Sequence, residues 1–322
     1  MRFAIRYLTE YRYDDVVSDN LNALRVRPAT TPFQRCEEFD ARIEPHAHAS
    51  RHEDYFGTDV LEFGVWTPHE RLTIDVSARA STAAAPAPPN AAREGLQSSA
   101  YRDAAGEFAL PWQDRPAIAG LAALERELAA ERPLEVLERL CEVIPEHFEY
   151  RPGATYVGSN VPELLALGGG VCQDFVHLSL VLLRRAGIAA RYVSGYLWAA
   201  PRDGGADSVE VDTHAWLEAL LPGEDGREPV WVSADPTNGE LADETHVKIG
   251  HGRFYADVLP VKGVYRGSAR SELTATVTMS RLDAAQNGTG LPAGTTSTDP
   301  RELSSTVRAN PLSAIRPTGA PG

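Results

Sequence analysis

Gly168-Gly169-Gly170-Val171-Cys172-Gln173-Asp174-Phe175 places a cysteine between a triple glycine and an apolar run. Glycines allow a tight turn and a close approach of the backbone to another molecule, which side chains would prevent. Phe175 to Ala186 carries Leu178, Leu180, Val181, Leu182 and Leu183 and stops at Gly187, the pattern of a buried helix with glycine just past its end. Cys172 therefore falls in the first turn, where unpaired N–H groups and the helix dipole favour an anionic sulfur. A free cysteine is otherwise a small buried hydrophobe, and the other two fit that description. Cys36 opens a strand-like stretch, and Cys141 shares a helix face with Leu137, Leu140 and Ile144.

Two partners for the thiol follow downstream. His214 lies in Val211-Asp212-Thr213-His214-Ala215-Trp216-Leu217-Glu218-Ala219-Leu220-Leu221, which reads as a strand entering the turn at Pro222-Gly223. Asp235 ends the short β-type run Val230-Trp231-Val232-Ser233-Ala234-Asp235 and opens the turn Pro236-Thr237-Asn238-Gly239. Antiparallel pairing of these runs across residues 222–229 sets His214 and Asp235 side by side. A cysteine at a helix N-terminus facing them completes a nucleophile, base and orienter. Singly, a strand histidine or an Asp-Pro turn is ordinary; the order Cys, His, Asp, each at an element end, points to a thiol attacking a carbonyl.

The blocks Gly-Val-Cys-Gln-Asp-Phe, Ala190-Arg191-Tyr192-Val193-Ser194-Gly195-Tyr196, Thr-His-Ala-Trp and Asp-Pro-Thr-Asn together resemble the core of the transglutaminase-like superfamily. The opening resembles the N-terminal β domain of its bacterial members, at Tyr7 to Tyr13, Arg25-Val26-Arg27-Pro28 and Asp54-Tyr55-Phe56-Gly57, and Gly250 to Val258 is a closing match. The resemblance spans residues 1–282. It implies an α+β protein: a papain-like core, with a Cys-bearing helix packed on an antiparallel sheet, and an N-terminal antiparallel β-sandwich. It implies Cys172 as nucleophile, His214 as base and Asp235 as orienter, with no cofactor and no metal required. The Cys172 N–H is a natural oxyanion donor. Animal members use an indole nearby, but no Trp closely precedes Cys172 and the nearest is Trp112, so Tyr156 is the candidate second donor. Gln173 and Trp216 are further candidates for binding substrate, with Trp198 and Trp216 as apolar walls of a cleft or else as core.

The sequence of 322 residues is long enough for two domains. A net charge of −14 argues against nucleic acid or an anionic membrane as partner. There is no apolar run of spanning length and no signal-peptide block at Met1–Tyr7, and three cysteines make no disulfide framework. The expectation is a cytoplasmic enzyme with a peptide or protein substrate, and a homo-oligomer is open. Residues 1–80 read as strands Phe3–Tyr13, Asn22–Arg27, Glu38–Ile43, Asp59–Val65 and Arg71–Ala78, 81–92 as an Ala/Pro linker, and 93–282 as the catalytic domain with C-terminal strands. Helices are expected over Ala117–Ala130 and from Pro133 to about His147, and a flexible tail over 283–322. His46, His48 and His52 match no metal-ligand spacing and read as a solvated loop. Arg202 to Asp207 lacks a full calcium-ligand series and also reads as a loop. Hydrolysis of a peptide or isopeptide amide is the leading reading of function. Alternatives are transfer to an amine, a scaffold that keeps the fold without the activity, and a redox-sensing thiol.

Overall fold

The computed structural model describes residues 1–110, 118, 120–153, 160–199, 208–211 and 213–282, with 208–211 described by their backbone. Trp112, Tyr156, the 202–207 loop and the tail from Asp283 lie outside the described residues. The chain opens with β1 (Arg2–Leu24), β2 (Gln34–Glu44), β3 (His48–Glu53), β4 (Asp59–Val65) and β5 (His69–Thr82). Helices α1 (Ser99–Ala105), α2 (Leu121–Glu127) and α3 (Pro133–His147) follow. The short pair β6 (Glu149–Tyr150) and β7 (Gly169–Gly170) brackets α4 (Val161–Leu167) and leads into α5 (Cys172–Arg185). Then come β8 (Ala190–Leu197), β9 (Ser208–Val211), β10 (Thr213–Leu221), β11 (Val230–Asp235), β12 (Glu240–Leu241), β13 (His246–Gly252), β14 (Val261–Arg266) and β15 (Ser271–Arg281).

Phe3, Ile5, Tyr7 and Thr9 alternate inward, as period-2 patterning requires of a half-buried strand. The run expected at Phe3–Tyr13 and the first half of that expected at Asn22–Arg27 are one bent strand, which ends at Leu24. Its register with β5 shifts between Arg12 and Val17, and Asp19 takes a positive φ of 46°. The bend lets the first half of β1 lie between β5 and β15, while its last residues pair with β4 and β14. The path runs β2-β5-β1-β15-β9, with β3, β4 and β14 branching from it.

β14 and β15 belong with β1, not with the catalytic sheet, because pairing Phe3 with Arg281 and Tyr13 with Ser271 satisfies an edge that β1 would otherwise expose. β9, directly upstream of the His214 strand, joins the same sheet through β15. β5 runs to Thr82, so the linker free of helix and strand is shorter than expected and covers 83–92. The histidine cluster is also not a loop throughout: His48 and His52 stand on the solvent-exposed edge strand β3, paired with β4.

The second sheet has the order β12-β11-β10-β8-β13, all antiparallel. Leu137, Leu140 and Ile144 of α3 and Phe175, Leu178 and Leu182 of α5 bury against Leu217, Ala219 and Leu221 of β10. Each such side chain contributes about 1.5–3 kcal/mol of burial. Gly187, at φ 80°, ends the α5 segment where its spacing indicated. Tyr196, Val247 and Ile249 of the second sheet, with Trp198 just past β8, bury with Phe3, Ile5 and Leu72 of the first, so the two sheets share a core. Polar ties reinforce it: the Tyr196 hydroxyl donates to the Val26 carbonyl at 2.8 Å, and the Gln34 side chain bonds both the N–H and the carbonyl of Lys248 at 2.7 Å. Among the described residues no helix is long and apolar enough to cross a membrane.

Candidate active site

The turn into α5 sets Cys172. Gly168 closes α4 at φ 64°, a left-handed position that suits glycine. At Gly170 a Cβ would press on the Asp174 carboxylate and on Leu164. Gly170 thus makes room for the helix cap. Asp174 accepts from the Val171 N–H at 2.9 Å, and its own N–H donates to the Val171 carbonyl at 2.9 Å. This reciprocal closure leaves the Cys172 N–H, the first of the helix, without a partner among the described residues. It is available to an oxyanion beside the half-buried thiol.

β10 brings His214 beside Cys172, whose sulfur acts on the His214 titration. His214 Nε2 donates to Asp235 Oδ2 at 2.7 Å, so Nδ1 is the ring nitrogen left for the thiol. Asp235, the last residue of β11, is fully buried. Its Oδ1 accepts from the N–H groups of Thr237 and Asn238 at 2.9 and 3.3 Å, an Asx-type closure of the Asp-Pro-Thr-Asn turn. Its Oδ2 accepts from the Asn238 side chain at 2.6 Å and from His246 Nε2 at 3.2 Å, besides His214. Among the described residues, five donors and no acceptor face this carboxylate. Burial works against its charge, but the bonds from His214 and His246, the His214 charge and Asn238 outweigh that and hold it far below the usual carboxylate range. Burial likewise disfavours a charged His214, yet Asp235 and Cys172 together push it up to about 10.

The three residues singled out from sequence therefore come together, and others do not join them as expected. Gln173 is half-buried one position past Cys172. Trp216 is buried, not a cleft wall. Its ring stacks on His214 at 6.2 Å and meets His246 edge-on at 5.3 Å. Gly195, paired across from His214, leaves the space that the Trp216 ring fills; a Cβ there would collide with that ring and with the Val247 carbonyl. Trp198 is core too, packed on Phe3 at 5.9 Å. Sequence reasoning missed Tyr192 and Tyr255. Both phenols are raised by burial and, further, by the charge of the Cys172 sulfur, Tyr255 to about 12. It missed His246 as well, which no local pattern marks and which arrives through the β13–β8 pairing.

His214, Asp235 and His246 offer ligand atoms within 4.8 Å of one another, a set whose residue types suit a cation. Their geometry is that of hydrogen bonds instead. Both Nε2 atoms point at one carboxylate oxygen and carry their protons there, which removes the lone pairs a metal would use. Further along the same strand, Glu218 is buried against Lys248 Nζ at 2.6 Å and Arg191 Nε at 2.5 Å. The Arg191 guanidinium lies 4.0 Å from the centre of the Trp231 ring.

Comparison with known proteins agrees with this fold. Residues 3–81 match the bacterial transglutaminase-like N-terminal region. Residues 122–236 match the transglutaminase-like superfamily. An uncharacterized protein of Mycobacterium tuberculosis is 36% identical over 301 residues, covering 86% of this chain and 91% of its own. Protein-glutamine gamma-glutamyltransferase of Pseudomonas aeruginosa is 31% identical over 132 residues, 40% of this chain and 19% of that one. A solved structure from Cytophaga hutchinsonii, described as a candidate cysteine protease, shares the fold at a TM-score of 0.64 and 20% identity, covering 88% of this chain and 92% of that one. With both halves of the chain matched and the Cys, His and Asp blocks in order, this chain belongs to the transglutaminase-like superfamily.

Proposed function

We propose that this protein is a thiol acyl-transfer enzyme that hydrolyses a peptide or isopeptide amide through a thioester on Cys172. The observation that carries the reading is the line from Cys172 through His214 to a fully buried Asp235. His214 Nδ1 takes the thiol proton, and the sulfur adds to the amide carbonyl while the Cys172 N–H receives the developing oxyanion. His214 then returns the proton to the leaving amine as the C–N bond breaks. Water adds to the thioester with His214 again accepting a proton, and the thiolate leaves and is reprotonated. Asp235 stays ionised throughout and holds the imidazolium. A peptide or protein substrate and a reducing, cytoplasmic setting fit a reactive free thiol and a chain of net charge −14.

A second reading, transfer to an amine in place of water, is supported by the likeness to the Pseudomonas aeruginosa gamma-glutamyltransferase. One experiment addresses both. The protein is incubated with glutamine-containing and isopeptide-linked peptides, with and without a primary amine, and products and the Cys172 peptide are followed by mass spectrometry. An acyl adduct on Cys172 is expected, with free acid as the product and both signals lost in Cys172→Ala. Amine incorporation exceeding hydrolysis would favour the second reading. Product formation that survives Cys172→Ala would overturn both.

A further inference from the structure

The Asp235 oxygen that accepts the His214 hydrogen bond is not His214's alone. His246 Nε2 reaches the same Oδ2 at 3.2 Å from the far side, and its ring is buried at the start of β13. A carboxylate oxygen only accepts, so Nε2 carries the proton. Nδ1 faces its own turn, where the Asp243 N–H and the Thr245 hydroxyl approach it at 3.3 Å and Asp243 Oδ1 at 3.4 Å. The Thr245 hydroxyl bonds the Asp243 carboxylate at 2.5 Å, which closes the turn that holds the ring. Trp216 fixes its tilt, meeting it at 75°. The charged or titratable groups around the ring are Asp235 from β11, Asp243 from its own turn and His214 from β10, at 6.2 Å between ring centres. Lys248, two residues along β13, is held by Glu218.

We propose that His246 is a positioning residue of this site: by sharing Asp235 Oδ2 it limits how strongly the carboxylate holds the His214 imidazolium. The inference rests on the proposed acyl-transfer reading for its meaning, but not for its test. A carboxylate that loses one N–H donor becomes a stronger acceptor for the donors that remain. Its attraction for the His214 proton therefore rises when His246 is removed. An imidazolium held too firmly is a poorer acid toward a leaving amine, so the shared oxygen keeps His214 able to return its proton.

The test reads His214 directly. Imidazole nitrogen-15 NMR is recorded on the full chain against pH, for the native protein, His246→Phe and His246→Gln. Phe keeps a ring against Trp216 and removes the donor; Gln keeps a donor near the place of Nε2. The His214 titration is expected to move up by about one pH unit in His246→Phe, the scale of one shared hydrogen bond to a charged group. It should return most of the way in His246→Gln. An unmoved or lowered titration in a folded His246→Phe protein would overturn the inference. If His246→Phe does not fold, the native spectrum decides: a proton on Nδ1 of His246 with a bare Nε2 overturns the inference, and a proton on Nε2 bonded to the carboxylate upholds it. These outcomes are independent of Cys172 chemistry, so failure of the acyl-transfer reading, seen as no thioester, is distinguishable from failure here.

Discussion

Asp235→Asn is expected to lower acyl transfer by about 10³–10⁴-fold, the scale for losing the orienting carboxylate of such a triad. The change is nearly isosteric, but every group facing the carboxylate is a donor. Oδ1 accepts from two backbone N–H groups and Oδ2 from His214, His246 and the Asn238 amide. An amide must turn its own NH₂ toward one of these sets, leaving buried donors opposed. The charge that raises His214 is lost as well, so the imidazolium no longer persists at neutral pH. The pH dependence of stability follows from the same pair. His214 is raised from an ordinary 6.5 to about 10, so its contribution is complete below 6.5 and is lost as pH rises through 10. Asp235 is depressed from 3.8, so its contribution is present above 3.8 and is lost only in strong acid. The gap between the denaturation midpoints of the native protein and Asp235→Asn should therefore narrow, without closing, as pH rises through 10 and again in strong acid. Equal turnover by Asp235→Asn would remove the carboxylate from the mechanism.

Glu218→Gln is expected to destabilise the fold by about 3–5 kcal/mol, the range for stranding a buried charge. The Glu218 carboxylate is the shared anion of Lys248 and Arg191, which reach it at 2.6 and 2.5 Å. Burial alone would raise its carboxyl, but the Lys248 and Arg191 charges pull it down to about 2. Removing the anion leaves two cations facing each other on a buried sheet face. Because the folded value lies below the ordinary 4.5, the stabilisation is present above pH 4.5 and is lost as pH falls toward 2. Urea midpoints should differ widely at pH 7 and approach one another near pH 2. Adding Lys248→Met to Glu218→Gln should recover part of the loss, since one stranded cation is gone. An unchanged midpoint for Glu218→Gln would contradict this account of the buried face.

The parts of the site that could be read in the sequence are those marked by local chemistry. Cys172 follows a glycine run and opens an apolar helix, and Asp235 begins an Asp-Pro-Thr-Asn turn. His214 opens a strand closed by Pro-Gly. Each stands at an element end, so their meeting needed only an antiparallel pairing and one helix packed beside it. His246 carries no such mark, because its place depends on the register of β13 against β8, which is broken by a shift between Lys248 and Gly250. The same cause hid the partner of β15. Pairing β1 with β15 joins opposite ends of the described chain, and alternation within either strand does not name its partner. Trp216 shows the limit from the other side. Its composition suits a cleft wall or a core equally, and the bare Cα of Gly195 beneath it decides for the core.

The most direct measurement is the rate of Cys172 alkylation by iodoacetamide across pH, in the native protein and in His214→Ala. With Nδ1 of a raised His214 facing the sulfur, the account predicts fast alkylation well below the ordinary thiol range of about 8.5 and its collapse in the variant. A native profile that follows an ordinary thiol, unchanged by His214→Ala, would contradict the Cys172–His214 pair on which the proposed chemistry stands.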